Sequence, residues 1–268
     1  MKSLLKITAV AAALVAVPLA VEAHRAWMLP SATVLSGDEA WVTVDAAISN
    51  DLFYFEHNPL RLEALKIVGP NGEAVAAQNQ NMGKFRSTFD AHLQKKGTYK
   101  MAVTNDALFG RYKLNGEQKR WRGTAATLKE IPAEATEVQI TQSQSRLEIF
   151  VTVGAPTDGV LKTTGSGLEL QAVTHPNNLV VGETATFALL LDGKPASGVS
   201  VAVVPGGIRY RDKLEESGVK TGPDGRFSLN WPGPGMYYLS ASVQDDKATV
   251  KDARRRASYA ATLEVLPQ

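Results

Sequence analysis

The sequence predicts an all-β protein: two antiparallel β-sandwich domains in tandem, the second immunoglobulin- or transthyretin-like, after a cleaved signal peptide. Three observations predict it. Apolar residues recur with period two in Ala40-Trp41-Val42-Thr43-Val44-Asp45, Tyr99-Lys100-Met101-Ala102-Val103 and Arg146-Leu147-Glu148-Ile149-Phe150-Val151, the spacing that buries one face of a strand and exposes the other. Turn signals stand between such runs, at Ser36-Gly37-Asp38, Gly69-Pro70-Asn71-Gly72, Lys96-Gly97 and Asn115-Gly116. Cysteine is absent from the 268 residues, so buried apolar surface has to stabilise the chain, which is long enough for two ordinary cores.

Residues 1–23 have the three parts of a secretory signal. Lys2 and Lys6 make the basic start, Ile7 to Val21 is apolar, and Val21-Glu22-Ala23 offers small side chains where a signal peptidase reads. Cutting after Ala20 instead would put Pro18 where a small residue is wanted. A spanning helix needs about 20 apolar residues, and polar sequence follows at once, so no membrane span is expected. The mature chain then begins at His24 and is periplasmic.

Residues 24–155 read as a β-rich first domain, with an irregular aromatic and basic insertion near 109–136 (FGRYKLNGEQKRWRG and onward). Residues 156–167 read as a linker around Pro156-Thr157-Asp158-Gly159. In the second domain, 168–268, strands are expected at Leu168–Val173, Thr184–Leu191, Val199–Val204, Arg226–Trp231, Met236–Val243 and Ala257–Leu266, about the content of an immunoglobulin-size sandwich. Trp41 and Trp231 read as core and Trp121 as exposed. Formal charge is +2, which does not suggest nucleic acid, and Arg254-Arg255-Arg256 reads as a solvated loop near Asp245, Asp246 and Asp252, with contact to an anionic surface or partner as the alternative.

No enzyme signature is present: there is no nucleophile elbow, zincin helix, EF-hand ladder or phosphate loop, and the chain reads as a non-enzyme. Most aspartates sit in turns, where their side chains bond to the backbone. The histidines carry more. After cleavage at Ala23, His24 presents an α-amine and an imidazole that can close one chelate ring; such an amine has an ordinary pKa of about 7.7–8.0 and yields its proton easily. With a second imidazole the set resembles a copper histidine brace. The plain alternative is a loose terminal residue. His57 follows an aromatic run, beside Glu56 and before the Asn58-Pro59 turn, either as a ligand or as a surface histidine. His175 precedes Pro176, which biases it to extended backbone, and stands either as a ligand at the domain junction or as a structural hydrogen bonder. His92 alternates against Phe89, Ala91 and Leu93 and reads as a solvated strand residue.

Several stretches together carry a resemblance: Ala23-His24-Arg25-Ala26-Trp27-Met28-Leu29-Pro30, Asp192-Gly193-Lys194-Pro195, Gly198-Val199, Thr221 to Phe227, Pro234-Gly235-Met236-Tyr237-Tyr238 and Arg256 to Leu263. The chain resembles a family of secreted bacterial proteins described as periplasmic components of cobalt/nickel uptake systems. That resemblance implies a divalent transition metal (Ni, Co or Cu) as cofactor or cargo and a metal-uptake membrane transporter as partner. His24, His57 and His175 are the expected ligands. The other function that fits is an extracellular interaction module that binds a protein partner or glycan without metal, using loops of the second domain and Trp121.

Overall fold

The computed structural model describes residues 24–268, and the expected signal segment lies outside them. The first half runs through β1 (Arg25–Pro30), β2 (Val34–Leu35), β3 (Ala40–Ser49), β4 (Asn58–Pro59), β5 (Leu65–Val68), β6 (Ala74–Val75), β7 (Ala77–Met82) and β8 (Ser87–Leu93). It ends in β9 (Gly97–Leu114), β10 (Glu117–Gly123) and β11 (Thr136–Val153), with a 3-10 helix at Ala125–Glu130. The second half holds β12 (Leu168–Ala172), β13 (Thr184–Leu191), β14 (Lys194–Pro195), β15 (Ser200–Pro205), β16 (Ser217–Lys220), β17 (Arg226–Asn230), β18 (Gly235–Asp245) and β19 (Ala253–Val265). No helix among the described residues is long and apolar enough to cross a membrane.

These strands form three sheets. A five-stranded sheet has the order β1-β3-β8-β7, with β4 also on β3; a four-stranded sheet has β12-β13-β14, with β17 on β13. Between them lies a ten-stranded sheet, β16-β15-β18-β19-β11-β9-β5-β6, with β10 on β9 and β2 on β11. Pairing is antiparallel almost throughout. The main exception joins the two halves: β11 and β19 run parallel from Ile140 opposite Ala253 to Ile149 opposite Thr262.

The two cores lie on opposite faces of that shared sheet. One gathers Met28, Val42, Phe89, Met101, Ile149 and Val151 under the five-stranded sheet. The other gathers Phe187, Leu189, Phe227, Leu239, Tyr259 and Leu263 under the four-stranded sheet. Register explains the alternation of sides. Ile149 is level with Thr262, while the second core takes Ala261 and Leu263, and successive side chains point to opposite faces. The fold is therefore two β-sandwiches in tandem with one sheet in common. A smaller cluster fills the seam, where Trp27, Ala47 and Leu52 meet Val204, Ile208 and Tyr238.

Three expectations are corrected. Trp41 is not core: it is 48% exposed and stacks on His92 at 4.3 Å with the rings 5° from parallel. Ala40, Val42 and Val44 occupy the inward positions, so the indole falls on the outer face and half-covers His92. The Arg254–Arg256 run is not a loop but the start of β19, with Arg255 turned inward and buried. Residues 109–123 are not irregular: they are the end of β9 and β10, paired as a hairpin, and only residues 124–135 leave the sheet, as the 3-10 helix and turns. Asn115 and Gly116 both have positive φ, +53° and +83°, as a two-residue type I′ hairpin requires. Trp121 packs against Gly110 beneath this hairpin and donates its Nε1–H to Glu130 at 3.2 Å. Trp231 is buried. Residues 156–167 carry a turn of 3-10 helix, Gly159–Leu161, with Val160 buried.

Candidate functional site

The end of β3 brings two of the three expected ligands together. β1 and β4 pair with β3 on its two sides, Arg25 level with Ser49 and Asn58 level with Ile48. His24 precedes Arg25 and His57 precedes Asn58, so both imidazoles arrive at the last residues of β3. Their rings stack with centroids 3.7 Å apart and planes 27° from parallel. Both residues are exposed to solvent.

The support beneath them is tightly tied. His24 Nδ1 lies 2.8 Å from Asn50 Oδ1, which accepts only, so Nδ1–H is the donor in this contact. Glu56 Oε1 accepts from the backbone N–H groups of Asn50 and Asp51 at 2.8 and 2.9 Å, which fixes the turn. Trp27, fully buried, donates its Nε1–H to Ser49 Oγ at 2.7 Å, and Ser49 Oγ–H donates to Asp51 carbonyl oxygen at 2.6 Å. The second half of the chain contributes as well. Arg25 pairs with Glu216 at 3.0 Å, and the Arg209 guanidinium lies 4.2 Å above the Tyr54 ring. The histidine pair thus sits at the seam between halves, the kind of place where ligand sites concentrate.

His24 has φ of +48°, a left-handed conformation that costs a non-glycine residue on the order of 1 kcal/mol. That torsion exists only while a residue precedes His24. A chain that starts there is free of it.

His175 does not join the pair. It faces β9 instead, with Nε2 3.1 Å from Thr98 Oγ1 and Nδ1 accepting from Asn177 N–H at 3.0 Å. Burial pushes its pKa below the ordinary 6.5, opposed by the Thr157 carbonyl and Asp158. Asn177 extends the same link, its Oδ1 accepting from Thr152 Oγ1 and its Nδ2–H donating to the Phe150 carbonyl, both at 2.9 Å. The residue therefore ties the second half to the first.

Among the described residues no group of three or more His, Cys, Asp or Glu side chains is arranged to hold a metal ion. The pair at the end of β3 supplies two imidazoles, and the third nitrogen available to it is a main-chain one, the α-amine of a chain that starts at His24. Chelation by that amine uses His24 Nδ1, so a metal competes with Asn50 for that atom. The stack must also open, because parallel rings aim their lone pairs side by side rather than at one point. Asn50 and Glu56 had no recognisable signal in the sequence, since their roles come from the turn that ends β3.

A family model described as "Domain of unknown function (DUF4198)" matches residues 21–245. No curated protein matches the chain. Solved structures match only loosely. The D0-D1 domain of Intimin is 15% identical over 87% of this chain and 96% of that one, with a TM-score of 0.21. The D00-D0 domain of Intimin is 11% identical over 90% and 100%, at 0.22. Dimeric latent PorU from Porphyromonas gingivalis is 11% identical over 91% of this chain and 20% of that one, at 0.23.

Proposed function

We propose, for a chain that belongs to the family described as Domain of unknown function (DUF4198), that the exported, processed protein binds a transition-metal ion through the His24 α-amine, the His24 imidazole and the His57 imidazole. One observation carries this reading: His24 and His57, 33 positions apart in the sequence, meet ring against ring at 3.7 Å on a turn pinned by Glu56. Three nitrogen donors suit Cu, Ni, Co and Zn, and the usual affinity order favours Cu(II). The role is binding rather than catalysis, in the periplasm, with a metal-uptake transporter as the partner that receives or delivers the ion. His175 is left out of the ligand set, because both its ring nitrogens are engaged elsewhere.

Titration of the processed protein with Cu(II) or Ni(II) tests it, after intact mass has established that the chain starts at His24. The expected result is about one ion per chain, with binding that weakens as pH falls below about 8 and the amine takes up its proton. His57→Ala, or one glycine added before His24, costs more than about 100-fold in affinity, beyond what the loss of a merely supporting partner costs. His175→Asn leaves affinity unchanged. Unaltered affinity in the glycine-extended protein removes the amine from the account, and a mature chain with any other first residue ends the proposal.

A further inference from the structure

The outer end of the ten-stranded sheet carries a second surface of defined chemistry, on the side where the first core lies and past the end of that core. Three rows of paired residues define it. Arg122 of β10 stands level with Phe109 of β9, Phe109 with Thr141 of β11, and Thr141 with Arg254 of β19. Two residues along, Arg120 is level with Arg111, and Arg111 with Gln139. Two residues the other way, Arg256 is level with Ser143. Paired residues and residues two apart share a face, so five arginines surround one phenylalanine on a single surface. All six side chains are exposed.

These arginines differ from most others in the chain. Arg25, Arg86, Arg146, Arg211, Arg226 and Arg255 each have a carboxylate within 4 Å. Among the described residues none of the five side chains on this face takes part in an ion pair or hydrogen bond. Arg122 lies 5.3 Å over the Phe109 ring. Lys113, on the same face, is neutralised by Glu137 at 2.6 Å. Arg111 and Arg120 are directly opposite on adjacent strands, and like charges so placed destabilise a sheet. The chain as a whole carries only +2, so this is a local concentration of charge held at a cost to the fold.

We propose that this face docks the protein on an anionic phospholipid bilayer. Neighbouring strands lie about 4.8 Å apart, so Arg122 and Arg254, three strands apart, rise from backbones roughly 14 Å from each other. A single phosphate does not span the set from Arg122 to Arg254, whereas a sheet of headgroups meets all five at once. Phe109 at the centre gives the face an apolar side chain to bury at the boundary between headgroup and acyl chain, which a hydrated polyanion does not offer. The surface does not depend on metal at the histidine pair.

Co-sedimentation with vesicles tests the proposal, using a chain that begins at His24 and so carries every described element without the apolar leader. Binding is expected to phosphatidylglycerol vesicles at low salt, not to phosphatidylcholine vesicles, and is expected to fade as salt screens it. Each basic residue near an anionic surface is worth about fivefold in partitioning, so R120Q/R254Q/R256Q lowers it about 100-fold. The same three positions changed to Lys retain most of it. R120Q alone raises the thermal midpoint by relieving Arg111 while it weakens binding, a pairing of effects that damage to the fold cannot produce. The proposal is overturned if phosphatidylglycerol vesicles do not bind at low salt, if the triple Gln variant binds as well as the parent, or if soluble heparin at matched charge competes as strongly as vesicles do.

Discussion

His175 shows how one side chain can link the two halves and make the link sensitive to acid. Its ring nitrogens meet Thr98 and the Asn177 N–H, and burial holds its pKa below the unfolded 6.5. Between those two values the unfolded chain binds the proton that the folded chain refuses, so stability rises with pH there. The contribution is complete above pH 6.5 and is lost as pH falls through the lower folded value. Urea midpoints measured from pH 7 down to 4 should therefore show a decline that flattens in His175→Asn, whose amide replaces the hydrogen bonds without titrating. An equally steep decline in the variant would place the acid sensitivity elsewhere. The position of His175 before a proline and near the junction was legible in the sequence, and both a ligand role and a structural one fitted it. Only folding shows that Thr98 and Asn177 consume both nitrogens. His24 and His57 were singled out separately, but their encounter depends on β3 having β1 on one side and β4 on the other.

β19 is the element whose chemistry the sequence disguised most. Three successive arginines mask a period-two pattern, because the middle one faces inward beside the alanines at 253 and 257. Arg255 donates to both oxygens of Asp245, at 2.9 and 2.5 Å, and to Asp192 at 2.8 Å. Its hydrogen bonds hold the Asp245 carboxyl below the usual carboxylate range despite an opposing effect of burial. Breaking a buried pair by deleting one partner costs about 3–5 kcal/mol. Here both carboxylates keep some contact with water, so Arg255→Ala should lose about 3 kcal/mol, the low end of that range, in denaturant unfolding. A loss under about 1 kcal/mol would mean that the cluster behaves as an ordinary surface ion pair. Trp41 misled for a related reason. Alternation identifies two faces but not which one is covered, and the small inward residues Ala40 and Val42 left the indole outside. The β9–β10 hairpin, by contrast, was written in Asn115-Gly116, a pair that a type I′ turn favours.

At the scale of the molecule, turn spacing and strand periodicity were enough to anticipate an all-β chain with two sandwiches. The sheet they share was not legible, because β11 and β19 are more than a hundred residues apart and no local pattern encodes a parallel pairing at that distance. With strands of both halves hydrogen-bonded side by side, the seam filled by Trp27 and Tyr238, and His175 bridging to β9, the halves should melt together. Calorimetry is expected to give one transition whose calorimetric and van't Hoff enthalpies agree; two resolved transitions would show that the common sheet does not couple them. The strand order has a further result for how the fold is reached. β19 is last in chain order yet lies between β18 and β11, so the backbone edge of β11 from Ile140 to Ile149 stays open until the final segment arrives. A translation product stopped before Ala253 would display that open edge as a template for other chains. The arrival of β19 between β18 and β11 is the event that seals the sheet.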